Sequence, residues 1–220
     1  MVLPIAFPDT GEGVIASYSF VDLAGGTGVA RFYFGVVNEV GSREKTILST
    51  NTFYSNRVMS GSNSWVNGNP NPVVDIDWDV TINRPINVEG NAYFNIPLLH
   101  FTDATDTTIY PTIKLRKVSD SVESDIITLT GSNYIATNNG VSTDLQALGG
   151  IVPLTHYRSG DILRITTQIH GSTASGVSQA SFIGCDPMGR LTSSRDVYTF
   201  SAGASDFTSG NGLIPIKIDL

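Results

Sequence analysis

Hydrophobic and polar residues alternate without interruption along residues 74–82 of this chain. Successive side chains of an extended strand point to opposite faces, so this segment predicts a β-strand with one apolar and one polar face. At helical spacing the same apolar residues would be scattered around the axis. The apolar face carries Val74, Ile76, Trp78, Val80 and Ile82, and the polar face carries Asp75, Asp77, Asp79 and Thr81.

Several other segments have the same period of two. Residues 161–170 alternate as strictly as residues 74–82 and predict a second half-buried strand. In residues 31–37, Phe32 and Phe34 share one face and Tyr33 occupies the other, which predicts a strand covered on both sides. Many short strands with turn residues between them indicate an all-β protein.

Prolines and glycines modify this pattern at three places. Pro97 ends the alternation of residues 92–98 and predicts a sheet edge or a bulge there. Pro215 lies in the alternating segment 214–220, which we therefore expect at a sheet edge of this chain or of a neighbour. The best helix candidate is the short segment 143–148, which ends at Gly149 and Gly150.

Together these segments predict an antiparallel β-sandwich with jelly-roll topology. The number of strands and the long crossing loops favour a jelly roll over an immunoglobulin-type sandwich. Residues 1–28 are expected to form an extended N-terminal arm and the first strand, because Pro4 and Pro8 interrupt the apolar residues at the start. Residues 29–220 are expected to form a single domain.

Charge and composition narrow the class of partner. The chain has 220 residues and a formal net charge of -7, and only 15% of its residues are charged. Nucleic-acid binding requires clustered basic residues, so we do not expect it. The low charged fraction indicates that much of the surface faces other protein. We expect no disulfide from the single cysteine, Cys185, which is predicted to be a buried apolar side chain.

No targeting or membrane segment is evident. The first residues lack the basic region of a signal peptide, and no run approaches the ~18 apolar residues of a membrane span. We therefore expect a soluble protein made in a cytoplasm, with no membrane partner.

Candidate chemical motifs are incomplete. Asp75, Asp77 and Asp79 have the spacing that begins a calcium loop, but Val80 and Ile86 stand where that loop requires Gly and Glu. An acidic row facing solvent or a partner is the preferred interpretation, and cation binding stays open. His100, His156 and His170 lack metal-site spacing, and no nucleophile elbow surrounds a serine. We expect no cofactor, no metal and no enzymatic activity.

Aromatic and basic residues leave two interpretations open. Trp65, within a predicted loop, could stack on sugar rings together with tyrosines, although ordinary packing is the preferred interpretation. The tyrosines are Tyr18, Tyr33, Tyr54 and Tyr93. The local basic cluster Lys114, Arg116 and Lys117 is expected to form a solvated strand face or a patch for an acidic neighbouring subunit.

The pattern as a whole resembles the jelly-roll structural proteins of virions, in particular the cement or decoration proteins on the heads of tailed bacteriophages. The resemblance rests on the start Met1-Val2-Leu3-Pro4, the arm, short strands rich in Thr, Asn and Gly, and a predicted strand that runs to Leu220. It implies a homo-oligomer, favouring a trimer, that binds the major capsid protein or other virion subunits. The alternative is a carbohydrate-binding sandwich, such as a phage fibre or receptor-binding domain. The candidate subunit-interface residues are Ile5, Phe7, Trp65, Ile214, Ile216 and Ile218.

Overall fold

The computed structural model describes residues 16–17, 27–38, 44–57, 59–65, 72–102, 107–135, 140–173, 179–189 and 209–217. Every regular element in these ranges is a β-strand, which confirms the all-β prediction. These ranges contain no helix long and apolar enough to cross a membrane. The strands are β1 (Ala16–Ser17), β2 (Thr27–Asn38), β3 (Glu44–Ser49), β4 (Met59–Trp65), β5 (Val74–Thr81), β6 (Ile86–Thr102), β7 (Thr108–Ser119), β8 (Val122–Thr130), β9 (Tyr134–Ile135), β10 (Gly140–Tyr157), β11 (Ile162–Ser172), β12 (Gln179–Gly184) and β13 (Asn211–Lys217).

The described strands form one sheet of mixed direction. Its order is β4-β12-β6-β13-β2-β3-β5-β11-β7-β8, and β1, β10 and β9 pair with β2, β6 and β7 respectively. All recorded pairings are antiparallel except a short parallel contact between β3 and β5, where Ile47 lies opposite Asp79. This strand order shows a mixed sheet. It does not by itself show the predicted sandwich or its jelly-roll topology.

The two most regular sequence segments are central strands. β5 and β11 pair along eight residues, with Trp78 opposite Ile165. Trp78 is completely buried, its ring stacks on Phe34 of β2 at a centroid distance of 5.2 Å, and its Nε1 donates a hydrogen bond to Thr167 Oγ1 at 2.8 Å. The alternation predicted from sequence is therefore used to fill the core.

The core joins both halves of the strand order. Inward side chains of β2, β6 and β13 belong to the same buried cluster as those of β5, β7 and β11. A Cβ added to Gly212 of β13 would lie 2.9 Å from Phe94 of β6 and 3.4 Å from Ile165 of β11, so these strands pack closely. Cys185 is also completely buried in this cluster, as predicted.

The predicted helix at residues 143–148 is wrong, because this segment lies within β10. β10 pairs with β6 over nearly its whole length, with Leu145 opposite Pro97 and Gly149 opposite Tyr93. The two glycines that suggested a helix end are required by packing. A Cβ on Gly149 would lie 3.0 Å from the Tyr93 ring, and a Cβ on Gly150 would lie 2.6 Å from Leu129 of β8. The partner that imposes the strand is distant in sequence.

The sheet edge predicted from Pro215 is wrong, and of the edge or bulge predicted at Pro97 the edge is wrong. β13 lies between β2 and β6, and its register with β6 shifts between Leu213 and Ile216, the interval that contains Pro215. On the edge that faces away from β10, β6 pairs with β13 up to Asn95 and with β12 from Leu98 onwards. Pro97 therefore lies where the neighbouring strand changes. A missing backbone donor is tolerated at such irregularities inside a sheet.

The predicted N-terminal arm, residues 1–28, lies mostly outside the described residues. β1 and the start of β2 are its described parts, and Ala16 pairs with Ala30 of β2. The division into residues 1–28 and 29–220 stays a prediction.

Candidate functional site

The structure places three of the candidate interface residues in the interior. Trp65 is 7% exposed, Ile214 is completely buried and Ile216 is 3% exposed, and all three belong to the main core cluster. These side chains pack against the rest of their own chain and have almost no surface to offer a neighbour. The remaining three, Ile5, Phe7 and Ile218, lie outside the described residues.

Trp65 belongs to a buried polar network. It is the last residue of β4, not part of a loop as predicted, and its Nε1 donates a hydrogen bond to Ser181 Oγ of β12 at 3.1 Å. His100 Nδ1 of β6 lies 2.9 Å from the same hydroxyl, and the His100 and Trp65 rings are 5.9 Å apart. Burial lowers the pKa of His100 to about 4, so the imidazole is neutral near pH 7. Stacking of a sugar on Trp65 is not compatible with this burial.

The contact between Ser181 and His100 has the atoms of a nucleophile and a base. Both residues are almost completely buried, and the Ser181 hydroxyl lies within hydrogen-bond distance of both Trp65 and His100. A reacting carbonyl would need a position about 3 Å from the hydroxyl oxygen, which this packing does not provide. We interpret this network as structural.

The acidic row of β5 is paired within the chain. Arg164 of β11 makes a bidentate contact with Asp79, with both nitrogen–oxygen distances at 2.7 Å, and its Nη1 lies 2.9 Å from Asp77. Gln168 Nε2 donates to Asp75 at 3.0 Å. Among the described residues there is no cluster of three or more potential metal ligands. Cross-strand ion pairs explain the acidic row without a cation.

The basic cluster of β7 is paired in the same way. Arg116 contacts Glu123 at 2.9 Å and Asp125 at 2.6 Å, both on β8. Lys117 Nζ lies 3.0 Å from Asp161. We call the surface formed by the charged side chains of β5, β11, β7 and β8 the ion-pair face. Its charges satisfy one another, so it offers little net charge to an acidic subunit.

The opposite outer surface has a different chemistry. β2, β13, β6 and β10 lie side by side, and the register aligns Arg31, Leu213, Tyr93 and Gly149 in one row. The next row contains Tyr33, Asn211, Asn95 and Ala147. We call this surface, with the exposed Val29 and Ile151 at one end, the low-charge face.

An open groove lies at the other end of the low-charge face. Its volume is about 540 Å³, and its lining includes Arg31, Tyr33, Asn95, Met188, Ser209 and Asn211. Among the described residues that line it, none is acidic. The amides form a chain in which Asn95 Nδ2 donates to Asn211 Oδ1 at 3.3 Å and Asn211 Nδ2 donates to the Ser209 carbonyl at 3.0 Å. This groove is an open, shallow concavity with polar side chains along its lining.

Sequence reasoning identified only part of this groove. Of the four tyrosines that could stack on sugars, only Tyr33 lines the groove, and nothing in the sequence selected Arg31, Asn95 or Asn211. Period-two alternation in residues 31–37 does place Arg31 and Tyr33 on one face. Their partners on β6 and β13 could be found only from the register, because those strands are far away in sequence.

Comparison with known proteins shows no matching protein-family model and no matching curated protein. Among solved structures, a CocE/NonD family hydrolase from Staphylococcus aureus matches at 9% identity with a TM-score of 0.46, over 86% of this chain and 37% of the hydrolase. An aminopeptidase from a marine sediment Thaumarchaeota archaeon matches at 9% identity and a TM-score of 0.47, over 85% and 37%. Infectious bursal disease virus, Gt strain, matches at 12% identity and a TM-score of 0.33, over 84% and 42%.

The presence of hydrolases among these matches corrects our expectation that the chain is not an enzyme, and we do not retain that expectation. The chain spans little more than a third of the length of the hydrolases it matches. At such identities and TM-scores, no activity, substrate or partner is transferred from either class of protein to this chain.

Proposed function

We propose that this chain is a structural protein of a virus particle, a jelly-roll sandwich of the cement or decoration type that binds neighbouring subunits. The support from architecture is that inward side chains from both halves of the strand order fill one core. The support from composition is the charged fraction of only 15%. A chain that functions inside an assembly needs fewer exposed charges than a free monomer.

The observation that carries the proposal is the surface of β10. This strand has 18 residues and, among the described strands, has a ladder partner only in β6, so its other edge has no strand partner in the described chain. Its hydrogen bonds to β7 involve the side chains of Lys117 and Tyr157. Asp144 is its only acidic or basic residue other than His156. Ile151 is 75% exposed and Leu154 is 63% exposed. Long apolar edges are normally blocked by charges or covered, because they template pairing with another chain.

The partner we infer for this surface is a second copy of the chain, giving a homo-oligomer in which a trimer is the favoured state. Ile151 lies opposite Asn91, beside Tyr93 on β6, and Val29 of β2 continues the exposed apolar surface. Two copies of a chain with a net charge of -7 repel each other. Contact between copies is therefore favoured at a surface that has few acidic residues, such as that of β10. The coat of the particle is the second binding partner.

The experiment compares Ile151→Asp with a matched control, Val122→Asp. Val122 is also a strongly exposed aliphatic residue, at 69%, but it begins β8 beside the ion-pair face. We expect the wild-type chain and Val122→Asp to be oligomeric by light scattering after size exclusion. The Ile151→Asp oligomer should dissociate at protein concentrations at least tenfold higher than the wild-type oligomer does, because burying an unpaired carboxylate at an interface is costly. Its thermal midpoint should be unchanged.

The same variants are then sedimented with purified capsids of the source virus. Retention of the wild-type chain on capsids supports the proposal. A wild-type chain that is monomeric at micromolar concentration and does not sediment with capsids would contradict it.

A further inference from the structure

We propose that the groove on the low-charge face binds a sugar that carries a carboxylate, such as a hexuronic or sialic acid residue of a glycan. The site consists of the Arg31 guanidinium, the Tyr33 ring and the Asn95–Asn211 amide chain. The inference does not depend on the assembly function, because it rests on Arg31, Tyr33 and the two amides and not on Ile151. The groove adjoins β10, since Leu145 also lines it.

The charge of the groove selects an anion. Arg31 is exposed and, within the described part of the chain, makes no ion pair, whereas Arg116 and Arg164 each contact two or more carboxylates. The chain as a whole is strongly acidic. Among the described residues, Arg31 therefore keeps its guanidinium available for a ligand anion. Its planar fork matches the two oxygens of a carboxylate in a bidentate contact.

The other lining groups suit a ring with hydroxyl groups. Tyr33 lies two residues from Arg31 on the same face of β2, a separation of about 7 Å along the strand. Asn95 lies two strands away from Tyr33, about 10 Å across the sheet. An aromatic ring on one side and amides on the other can contact the apolar face and the hydroxyls of a sugar at once. The hydrogen bonds from Asn95 to Asn211 and from Asn211 to Ser209 fix the amides before the ligand arrives.

A bound peptide strand is less compatible with this position. β13 and β6 are paired on both sides along the groove, and β2 is paired there with β13 and, from Tyr33 onwards, with β3. Their backbone groups are therefore not available for strand addition, which is the main source of affinity for extended peptides. Recognition at the groove has to come from side chains.

The test measures binding of matched sugars to the intact chain by ligand-observed NMR and calorimetry. Methyl glucuronide and methyl glucoside differ in one group, a carboxylate in place of a hydroxymethyl; methyl sialoside and sodium acetate are the other probes. We expect at least one acidic sugar to bind at least tenfold more tightly than methyl glucoside and acetate, and its affinity to fall with salt.

Three variants locate the site. Arg31→Gln should weaken binding of the acidic sugar at least tenfold, and Tyr33→Ala should weaken both binding and ring-proton saturation transfer. Arg158→Gln is the matched control: Arg158 is an exposed arginine in the turn beyond Tyr157, which pairs with the far end of β6. Thermal melting verifies that each variant is folded.

Specific outcomes would overturn the inference. If neither acidic sugar binds at a 20-fold or greater molar excess over protein, up to a sugar concentration of about 10 mM, the proposed site is excluded. Equal affinity for glucuronide and glucoside would remove the role of charge, and equal affinity for acetate would remove the role of the sugar ring. An unchanged affinity in Arg31→Gln would place any binding elsewhere. None of these outcomes bears on oligomerisation, which is tested separately.

Discussion

The buried imidazole of His100 makes the stability of this protein depend on pH. His100 is 1% exposed, and burial lowers its pKa from the ordinary 6.5 to about 4. Its Nδ1 faces the Ser181 hydroxyl, which already accepts a hydrogen bond from Trp65. The Ser181 proton is therefore free to donate to Nδ1, an interaction that requires an unprotonated nitrogen. Protonation would place a charge in the core and disrupt this network.

The direction and size of the effect follow from proton linkage. Below pH 6.5 the unfolded chain binds a proton at His100, but the folded chain does so only near pH 4. Between these values the unfolded state holds more protons, so the free energy of unfolding falls as the pH is lowered. The stabilising contribution is complete above pH 6.5 and lost by about pH 4. A pKa difference of about 2.5 corresponds to about 3 kcal/mol.

The assay is urea unfolding of wild-type protein and of His100→Gln at intervals from pH 7.5 to pH 4. We expect the wild-type chain to lose about 3 kcal/mol more than His100→Gln over this range. Ile183→Val is the control, since it removes one methyl group from a buried neighbour of the network, costs about 1 kcal/mol and keeps the imidazole. Its pH dependence should equal that of the wild type.

The carboxyl group of Asp161, whose pKa is also shifted, does not affect this measurement. Asp161 accepts hydrogen bonds from Ser119 and from the Arg158 backbone amide, which lower its pKa to about 2. Its stabilising contribution is present above pH 3.8 and is lost as the pH falls through 2, below the range of the assay. An NMR titration of the imidazole with a midpoint near 6.5, or identical pH slopes for wild type and His100→Gln, would refute the reasoning.

Two further predictions concern the core and the ion-pair face. Trp78→Ala removes a completely buried ring that stacks on Phe34, and should lower the free energy of unfolding by about 3 to 5 kcal/mol in urea; a loss below 1 kcal/mol would mean that the ring is not a core element. Arg164→Lys replaces the two-point contact with Asp79 by a single ammonium. It should lower the free energy of unfolding by about 1 kcal/mol, a modest amount because the pair is partly exposed. The control Arg158→Lys lies in an exposed turn and should leave the free energy of unfolding almost unchanged in the same assay. Equal stabilities of the two lysine variants would show that the bidentate geometry contributes no stability.

The fold could be predicted where local pattern and tertiary environment agree. β5 and β11 were predicted from alternation, and the structure buries their apolar faces in the core. The pattern failed where a distant partner decides the local structure. Residues 143–148 have no strong preference of their own, and β6 holds them in a strand because its backbone groups are the available partners.

The candidate site could be predicted only in fragments. Side-chain type suggested Trp65 and the terminal isoleucines as contact residues, but exposure is a property of the folded chain, and Trp65, Ile214 and Ile216 are buried. Arg31 looked like any other arginine in the sequence. Its significance comes from its described neighbours in the groove, which are Tyr33 along the strand and amides from β6 and β13, with no acidic side chain among them.

The sequence by itself determined that this protein is built from β-strands, which face of β5 and of β11 is apolar, and that few of its residues are charged. These properties depend on the period of side-chain direction and on composition, and both are local. Only the tertiary structure decided which strands are neighbours. It therefore decided that the charges of β5, β11, β7 and β8 pair with one another, while the low-charge face keeps an exposed apolar edge and an arginine with no ion pair among the described residues. Strand register brings together residues from opposite ends of the chain, and local pattern contains no information about that pairing.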